Sequence, residues 1–535
     1  MSTVETLEQA RGLLAQGDWA AVEALCRPIA FDPVHAAAAQ QFLGIALLER
    51  GGASDEAVSW LESAQQLAPD APETHANLAR AHLRRQRFAP ALAAAQRAVK
   101  LAGSVPEWRL LLAEIQFQLG RFAEARSHLK VARGLDGDNS RILALLGQAE
   151  NASGRFGEAE EALSHLPLPS GKIEKAQIGL YPLVRHLADA RHNGQLKGGP
   201  RVLAVRHPRV VPDGYQVLVD WIRVNRPEYD HLFELRLLPF ELEDPERYGV
   251  IHPWLQDPVQ DWSRQTYDQA VRIGRALEAR GVTHINPVDR LVHASKSRAP
   301  EFLERVGLRM ARSVLIADPD RFRMDAAGLA YPFMIREDWG HGGDPIRIEN
   351  ADELAYAPLE NFRRPVATEI IDVSNEDGRY RKFRYIACGR WGVSHHLMLT
   401  PMWVTRGGDR IYDEAARQEE LAYIGKPDPH HEKFQAAREA LGLNFLSYDY
   451  GYDRSGTLYV WEANPFAYIH FPYSDGRSGF RNAAIHRTMA GMLAMYLDAL
   501  ELPVPEDIQL ILDVDNPASD EAIDELVNPR GNRPQ

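Results

Sequence analysis

The stretch SYDYGYDRSGTLYVWEANPF, residues 447–466, has the pattern of a β-hairpin with one apolar and one acidic face. Read with a two-residue period, its three leading tyrosines alternate with Asp449, Gly451 and Asp453. The run DRSG then turns the chain, and TLYVW leads back as a second strand. The pattern therefore predicts that tyrosines pack on one side of the hairpin while carboxylates gather on the other.

The position of the turn decides which acids meet. We place its centre at Ser455 and Gly456, as the DRSG sequence favours. Antiparallel pairing then sets Asp449 opposite Glu462, with Asn464 two residues further along the same face. Directly opposed like charges destabilise a sheet, so this pair requires either open water or a cation between its members. Two carboxylates and an amide oxygen suit magnesium, whereas the alternative is an exposed hairpin with acids on its wet face.

Composition limits the class of protein. The chain has 535 residues, 45% of them hydrophobic and 25% charged, which is enough for two to four globular domains. A formal net charge of −13 gives no general attraction for nucleic acid or for an anionic membrane. The two cysteines, Cys26 and Cys388, do not form a disulfide framework. With neither a signal peptide nor a long apolar run, we expect a soluble cytoplasmic protein with no nucleic acid or membrane partner.

The N-terminal third, residues 1–166, repeats with a period of 34 residues. GRFAEA at 120–125 recurs as GRFGEA at 154–159 and is preceded by QRFAPA at 86–91. A leucine keeps the same interval in the preceding helices, at Leu78, Leu112 and Leu146. The period resembles the tetratricopeptide repeat, with about five copies. That resemblance implies an all-α solenoid whose concave surface binds a peptide or a partner protein.

A second architecture follows the repeats. Residues 167–200 lose the periodicity and gain Pro, Gly and Lys, which predicts a helical connector and linker. RVLAVRH at 201–207 has the character of a buried strand, and alternating helix and strand patterns continue to about residue 500. The remaining residues, 501–535, form an acidic tail with one short apolar run that could pack on the domain.

Several segments with candidate ligand-binding residues precede the hairpin. In chain order they are a predicted helix carrying Lys296, a strand PFMIR ending in Arg336, a glycine cluster at Gly340, Gly342 and Gly343, a strand ending in Glu369, and a basic strand with Lys382 and Arg384 on one face. Glycines at a hairpin tip let backbone N–H groups approach phosphate oxygens. Two cations on one strand face are costly unless anions or water meet them.

This order resembles the ATP-grasp superfamily, in which two α+β lobes hold ATP between them. The resemblance covers about residues 200–500. It implies a multidomain chain, with an all-α tetratricopeptide-repeat solenoid followed by an α/β pre-ATP-grasp domain at 201–290 and an α+β ATP-grasp domain at 291–500.

The resemblance also implies roles for individual residues. The metal ligands would be Asp449, Glu462 and Asn464. The nucleotide would be bound by Lys296, Arg336, Gly340, Gly342, Gly343 and Glu369, with Asp372 and Glu376 both open as the ribose-binding acid. The catalytic group would be Arg384, Lys382 and His396, the last because His395 and His396 point to opposite strand faces. One departure stands out, since Arg336 replaces the family's second lysine and would meet phosphate as a planar fork.

In this family a carboxylate attacks the γ-phosphate of ATP, and an amine, or less often a thiol or hydroxyl, displaces the resulting acyl phosphate. We therefore expect an ATP- and Mg²⁺-dependent ligase acting on small-molecule or peptide substrates, with the solenoid recruiting a peptide or protein. Two alternatives remain open. A nucleotide-binding scaffold without catalysis would leave the biological work to the solenoid, and a repeat-bearing glycosyltransferase would leave the pairing of Asp449 with Glu462 unexplained.

Overall fold

The structure is a computed structural model that divides into two compact units. It describes residues 2–51, 55–85, 87–153, 155–166, 201–207, 214–242, 244–256, 258–339, 345–403, 409–471 and 478–513. The first unit is Met1–Arg191 with Pro239–Glu241, and the second is His192–Leu238 with Leu242–Gln535. The predicted connector at 167–200 and the tail beyond residue 513 lie outside the described residues.

The first unit is a helical repeat region. Its helices pack consecutively on one another, each joined to the next by a short loop. They are α1 (Thr3–Gln16), α2 (Trp19–Cys26), α3 (Ala36–Gly51), α4 (Asp55–Leu67), α5 (Pro72–Arg84), α6 (Phe88–Leu101), α7 (Pro106–Gln118), α8 (Phe122–Leu135), α9 (Ser140–Ala152) and α10 (Phe156–Ser164).

The same turn closes successive helix pairs in this unit. In each pair, an arginine before the second helix donates its backbone N–H to a carbonyl of the first helix. The bonds run from Arg87 to His82 (2.9 Å), from Arg121 to Gln116 (2.8 Å) and from Arg155 to Glu150 (2.8 Å). Four residues after each arginine stands a fully buried alanine, at Ala91, Ala125 and Ala159. The 34-residue period is therefore a period of turn geometry and of close helix contact.

Two glycines allow paired helices to approach closely. A Cβ added to Gly44 on α3 would lie 2.6 Å from Leu61 of α4, and one added to Gly147 on α9 would lie 2.6 Å from Leu163 of α10. Neither distance is compatible with a larger residue unless the leucine moves. Glycine is required at these points by packing, since neither position has a positive φ.

The second unit combines helices with three sheets. Its helices are α11 (Gly214–Asn225), α12 (Val259–Trp262), α13 (Arg264–Glu278), α14 (Ala299–Leu303), α15 (Pro319–Asp325), α16 (Ala351–Ala355), α17 (Glu414–Ile424), α18 (His431–Leu441), α19 (Asn482–Ala499) and α20 (Glu506–Leu512). Its strands are β1 (Arg201–Arg206), β2 (Phe233–Leu237), β3 (Tyr248–Pro253), β4 (Thr283–His284), β5 (Arg309–Met310), β6 (Ser313–Leu315), β7 (Phe333–Glu337), β8 (Ile346–Ile348), β9 (Pro365–Glu369), β10 (Tyr380–Cys388), β11 (Trp391–Thr400), β12 (Phe445–Tyr452) and β13 (Leu458–Asn464).

The first of these sheets is parallel, in the order β2-β1-β3-β4. Every residue of β1 is buried, which confirms the buried strand predicted at the start of this region. The second sheet is antiparallel, in the order β6-β9-β7-β8. It contains the predicted strand before the glycine cluster and the predicted strand ending at Glu369. Gly340, Gly342 and Gly343 themselves lie outside the described residues.

The third sheet carries the hairpin, in the order β11-β10-β12-β13-β5. Helix α18 packs on the tyrosine face of β12, where the rings of Phe434 and Tyr448 lie 4.8 Å apart. The predicted apolar run in the tail forms α20, which buries Ile508, Ile511 and Leu512. Among the described residues, no helix combines the length and apolarity that a membrane span requires.

Candidate active site

The hairpin pairs as the turn position predicts. Asp449 of β12 lies opposite Glu462 of β13, and Ser447 lies opposite Asn464, which confirms the predicted register. A bulge beyond Asp449 then shifts the register before the strands reach the turn. Tyr448 and Tyr450 are fully buried in the core on the opposite face. The acidic face therefore lies on the side of the sheet away from the aromatic core.

The turn is held by a single carboxylate. Oδ1 of Asp453 accepts hydrogen bonds from the backbone N–H groups of Ser455 and Thr457, each at 2.9 Å. Gly456 has φ of 81°, a left-handed conformation that favours glycine. This local chemistry fixes the return of the chain and hence the pairing of the acids.

Asp449 is buried between two cations. Its carboxylate accepts from Nε of Arg384 at 2.6 Å and from Nη2 at 2.8 Å, and Nζ of Lys382 lies 3.3 Å away. Only 4% of the residue is exposed. Burial alone would raise the pKa of Asp449, but the charges and hydrogen bonds of Arg384 and Lys382 outweigh it and hold the pKa well below its ordinary value. The aspartate is therefore ionised.

Glu462 also faces cations. Nζ of Lys296 lies 3.8 Å from its Oε1. Burial lowers the pKa of Lys296, although the charge of Glu462 opposes the shift. Burial likewise lowers the pKa of Arg336 to about 10, against the charges of Glu462 and Asp338. Arg336 therefore keeps its charge at neutral pH.

Lys296 lies in a turn, so the prediction that a helix carries it is wrong. It follows a 3-10 helix ending at Ala294 and precedes α14, which has Pro300 in its first turn. Its backbone N–H donates to the carbonyl of Asp338 at 3.0 Å. The adjacent Ser297 donates from its backbone N and its Oγ to the Asp338 carboxylate, at 2.7 and 2.8 Å. Short polar side chains and a following proline interrupt the helix, since serine hydrogen bonds compete with helical ones.

Asp338 ties this turn to the end of β7. It is fully buried, and besides Ser297 it accepts from Nε of Arg364 at 3.0 Å. The Arg364 guanidinium lies 5.0 Å from the ring centre of the neighbouring Trp339. The Trp339 residue is 5% exposed, and its Nε1–H has no acceptor among the described residues. Neither Asp338 nor Trp339 is part of the sequence prediction.

A small cavity of about 30 Å³ lies at this point of the molecule. Its lining includes Lys296, Asp338, Trp339, Glu462 and Asn464. The volume accommodates a water molecule or a single ligand oxygen. Oδ1 of Asn464 accepts from the backbone N–H of Phe466 at 2.8 Å, and a carbonyl oxygen has a second lone pair to offer.

The carboxylates predicted to bind the nucleotide have partners of their own or are exposed. Oε2 of Glu369 accepts from the backbone N–H of Arg312 at 3.3 Å. Asp372 is exposed and forms an ion pair with Arg454 at 2.9 Å, and Glu376 is exposed as well. In the described part of the chain, no ion pair or hydrogen bond joins these three acids to Asp449 or Glu462.

The two histidines of β11 have different surroundings. Nδ1 of His395 lies 2.9 Å from the hydroxyl of Thr488 on α19. His396 pairs with Arg384 across the sheet, and its buried Nε2 has no hydrogen-bond partner in the ranges described. Burial, followed by the charge of Arg384, lowers the pKa of each ring, to about 3 for His395 and well below the ordinary value for His396. Both rings are neutral, and His396 stands beside the cation that binds Asp449.

Sequence reasoning missed a hydrogen-bond network behind Arg384. The buried carboxylate of Asp428 accepts from the hydroxyls of Tyr423 at 2.9 Å and Tyr450 at 2.8 Å. His430 and His431 are both half-buried, and each lies within hydrogen-bond distance of a tyrosine hydroxyl. The tyrosine spacing indicated a core, but it did not reveal the acid that joins its hydroxyls.

The metal prediction rests on two carboxylates and one amide. In the ranges that the structure describes, no three His, Cys, Asp or Glu side chains form a group able to hold a metal ion. Asp449 and Glu462 nonetheless offer the oxygen donors that magnesium prefers, and a shell begun by them and Asn464 would be completed by water and phosphate. The donor set fits magnesium bound together with a phosphate ligand and does not fit an all-protein cage.

Two family models match the repeats. A model described as anaphase-promoting complex, cyclosome, subunit 3 matches residues 51–132, and a tetratricopeptide repeat model matches residues 116–174. A search of curated proteins found no match. The chain is thus a tetratricopeptide-type helical repeat region followed by an α/β region with three sheets.

Solved structures are similar to parts of the chain. The ATP-grasp ligase PsnB complexed with minimal precursor is 16% identical, and the match covers 54% of this chain and 99% of that chain with a TM-score of 0.35. PsnB complexed with precursor peptide PsnA2 and AMPPNP gives 14% identity, 53% and 97% coverage and a TM-score of 0.35. A crystal structure of MamA is 17% identical over 29% of this chain and 91% of that chain, with a TM-score of 0.27. These TM-scores are too low for residues of the site to be assigned by superposition.

Proposed function

We propose that the second unit is an ATP-dependent ligase that activates a carboxylate as an acyl phosphate for attack by an amine. The observation that carries this proposal is a cluster of buried cations beside the paired acids of the hairpin. Lys296, Arg336, Lys382 and Arg384 gather around Asp449 and Glu462.

The cluster favours an anionic ligand. The charges of Asp338 and Glu337 also act on Lys296, and Arg364 pairs with Asp338, so acids offset part of the positive charge. Buried cations in a site of low dielectric are stabilised by a further anion. The whole chain carries a net charge of −13, whereas this site concentrates basic side chains. A nucleotide polyphosphate is an anion of the kind that such a cluster binds.

Each residue then has a physical task. Asp449, Glu462 and Asn464 would hold magnesium, which would offset the charge of the phosphates. Lys296 and Arg336 would bind the phosphates, while Glu369 and the glycines Gly340, Gly342 and Gly343 would also contact the nucleotide. Arg384 and Lys382 would meet charge developing on the transferred phosphoryl group.

The remaining predicted residues complete the proposal. His396, neutral and beside Arg384, would accept a hydrogen bond from the substrate through its unpaired Nε2 or donate one, according to its tautomer. Asp372 or Glu376 would hold the ribose. The helical repeats support a peptide or protein substrate, since solenoids of this kind present extended binding surfaces.

The test uses purified full-length chain and measures release of ADP and phosphate as magnesium, ATP and pools of carboxylate and amine substrates, including peptides, are varied. We expect magnesium-dependent turnover that Glu462→Gln abolishes, because the amide keeps the shape but loses the charge that binds the metal. Glu439→Gln is the matched control, since Glu439 is an exposed acid of the same unit, and it retains full activity.

The same measurements distinguish an enzyme from a nucleotide-binding scaffold. ATP binding by calorimetry with no turnover under any substrate supports a nucleotide-binding scaffold instead of an enzyme. Turnover that persists in Glu462→Gln contradicts the metal-binding role of the hairpin.

A further inference from the structure

We infer that the indole N–H of Trp339 is a hydrogen-bond donor to an anionic oxygen of the nucleotide phosphates. The inference rests on the proposed function and adds to the site a residue that neither the sequence pattern nor the resemblance includes. It depends on the fixed position of the ring, on the absence of a protein acceptor among the described residues, and on the charge around the cavity.

The ring is held in place. Trp339 follows β7 directly, and only 5% of the residue is exposed. One face meets the guanidinium of Arg364, which Asp338 in turn holds by a hydrogen bond of 3.0 Å. Stacking and hydrogen bonding together leave the indole little rotational freedom, so its N–H keeps one direction.

The N–H lacks a protein acceptor. Trp339 lines the cavity, and among the described residues its Nε1–H has no hydrogen-bond acceptor. The carboxylates that line the same cavity have other partners, since Asp338 accepts from Ser297 and Arg364, while Glu462 faces Lys296. A buried donor of this kind is disfavoured unless a water or a ligand accepts from it, and indole is a donor only.

The surroundings select an anionic oxygen. Lys296 lines the cavity together with Asp338 and Glu462, and the charge of Arg336 acts on both of these carboxylates. Arg364 also pairs with Asp338, so the cations around the cavity lower the cost of placing a further negative atom there. The volume of about 30 Å³ admits one oxygen and not a whole nucleotide. The donor therefore meets the tip of a ligand that enters from outside, as a phosphate oxygen does.

The direct test is an NMR titration of full-length protein labelled with ¹⁵N in the indole groups of its ten tryptophans. Comparison with Trp339→Phe assigns the signal. Mg²⁺–AMPPNP and inorganic phosphate are the probes for a phosphate oxygen, and acetate is the probe for a carboxylate. We expect the Trp339 indole proton to move downfield and to exchange more slowly with either phosphate probe, and to stay unchanged with acetate.

The affinity test compares Trp339→Phe with Trp391→Phe by calorimetry. Trp391 is a matched control because its Nε1–H donates to Asp498 and the Arg390 guanidinium lies 4.6 Å from its ring centre, so the same atoms are removed beside a similar cation. We expect Trp339→Phe to weaken Mg²⁺–AMPPNP binding about 10- to 100-fold, as for a hydrogen bond to a charged acceptor, while Trp391→Phe binds as the wild type does.

The outcomes distinguish this inference from the proposal beneath it. Wild-type protein that binds no phosphate compound overturns both. Tight nucleotide binding with an unmoved Trp339 signal overturns this inference alone and assigns the N–H to a bound water. Equal affinity of Trp339→Phe and the wild type for Mg²⁺–AMPPNP likewise overturns this inference alone. A Trp339 signal that responds to acetate but not to phosphate assigns the oxygen to a substrate carboxylate, and it also overturns this inference.

Discussion

Replacing Asp449 by asparagine tests the electrostatics of the site without any ligand. The substitution keeps the shape of the side chain but removes the charge that Arg384 and Lys382 contact at 2.6 to 3.3 Å. Removing one partner of a buried ion pair costs about 3–5 kcal/mol, because the other charge remains buried without compensation. Two cations lose this carboxylate as a partner, so we expect Asp449→Asn to fall within that range.

The matched control is Asp372→Asn. Asp372 is also an aspartate paired with an arginine, Arg454, but both side chains are exposed, and the expected loss is below about 1 kcal/mol. Lys382→Met is expected to cost less than Asp449→Asn, because Arg384 keeps its two hydrogen bonds with the carboxylate. Combining Lys382→Met with Asp449→Asn gives a double-mutant cycle, with an expected coupling of about 0.5–3 kcal/mol.

The assay is urea-dependent hydrogen exchange read by mass spectrometry on peptides that cover β10 and β12. This readout assigns the free energy of opening to the strands that carry the ion pairs, whatever the helical repeats do. A loss for Asp449→Asn no larger than that for Asp372→Asn would refute the reasoning, because it would mean that the two cations are compensated without the aspartate.

Two further predictions concern pH and packing. Burial lowers the pKa of His252, His395 and His396 in the folded chain. As the pH drops below about 6.5, the ordinary histidine value, these side chains take up protons in the unfolded chain but not in the folded one, and the free energy of unfolding therefore falls. Between pH 7.5 and 5.5 the same exchange assay should show a loss of about 1.4 kcal/mol for each histidine, and His395→Gln should reduce the difference by that amount. In the repeats, Gly147→Ala should lower the stability by about 1–3 kcal/mol, because its Cβ would lie 2.6 Å from Leu163. Gly134→Ala is the control, since its Cβ would have no neighbour within 4 Å, and it should stabilise α8 by up to about 1 kcal/mol. Hydrogen exchange in α8 and α9 measures both effects, and a loss of stability for Gly134→Ala would contradict the packing argument.

The hairpin could be predicted because its determinants are local. Alternation of tyrosine with acid, together with an Asp-x-Ser-Gly turn, fixes the pairing of Asp449 with Glu462 within about twenty residues of sequence. The 34-residue period works in the same way, since the turn after His82 recurs after Gln116 and Glu150. Local chemistry repeated at a fixed interval is enough to define these elements.

Other parts of the site depend on contacts between distant segments. The turn at Lys296 is shaped by Asp338, more than forty residues away, and no local pattern shows that Ser297 has a buried carboxylate to bind. The sequence around Trp339 does not indicate a ligand-binding role, which only its burial and its unpaired N–H in the structure suggest. The cations on β10 were expected to need an anion, but only the strand order places that anion, Asp449, on the adjacent strand.

The recurring turn of the helical repeats bears on how the length of this region can change. Arg121 and Arg155 close their helix pairs with the same backbone hydrogen bond. A duplication or deletion of one 34-residue unit would therefore join two equivalent turns, and each remaining helix would still pack against a helix of the same type. Unequal recombination between the matching segments could therefore lengthen or shorten the solenoid in whole steps, altering its reach in relatives of this chain while its stacking is preserved.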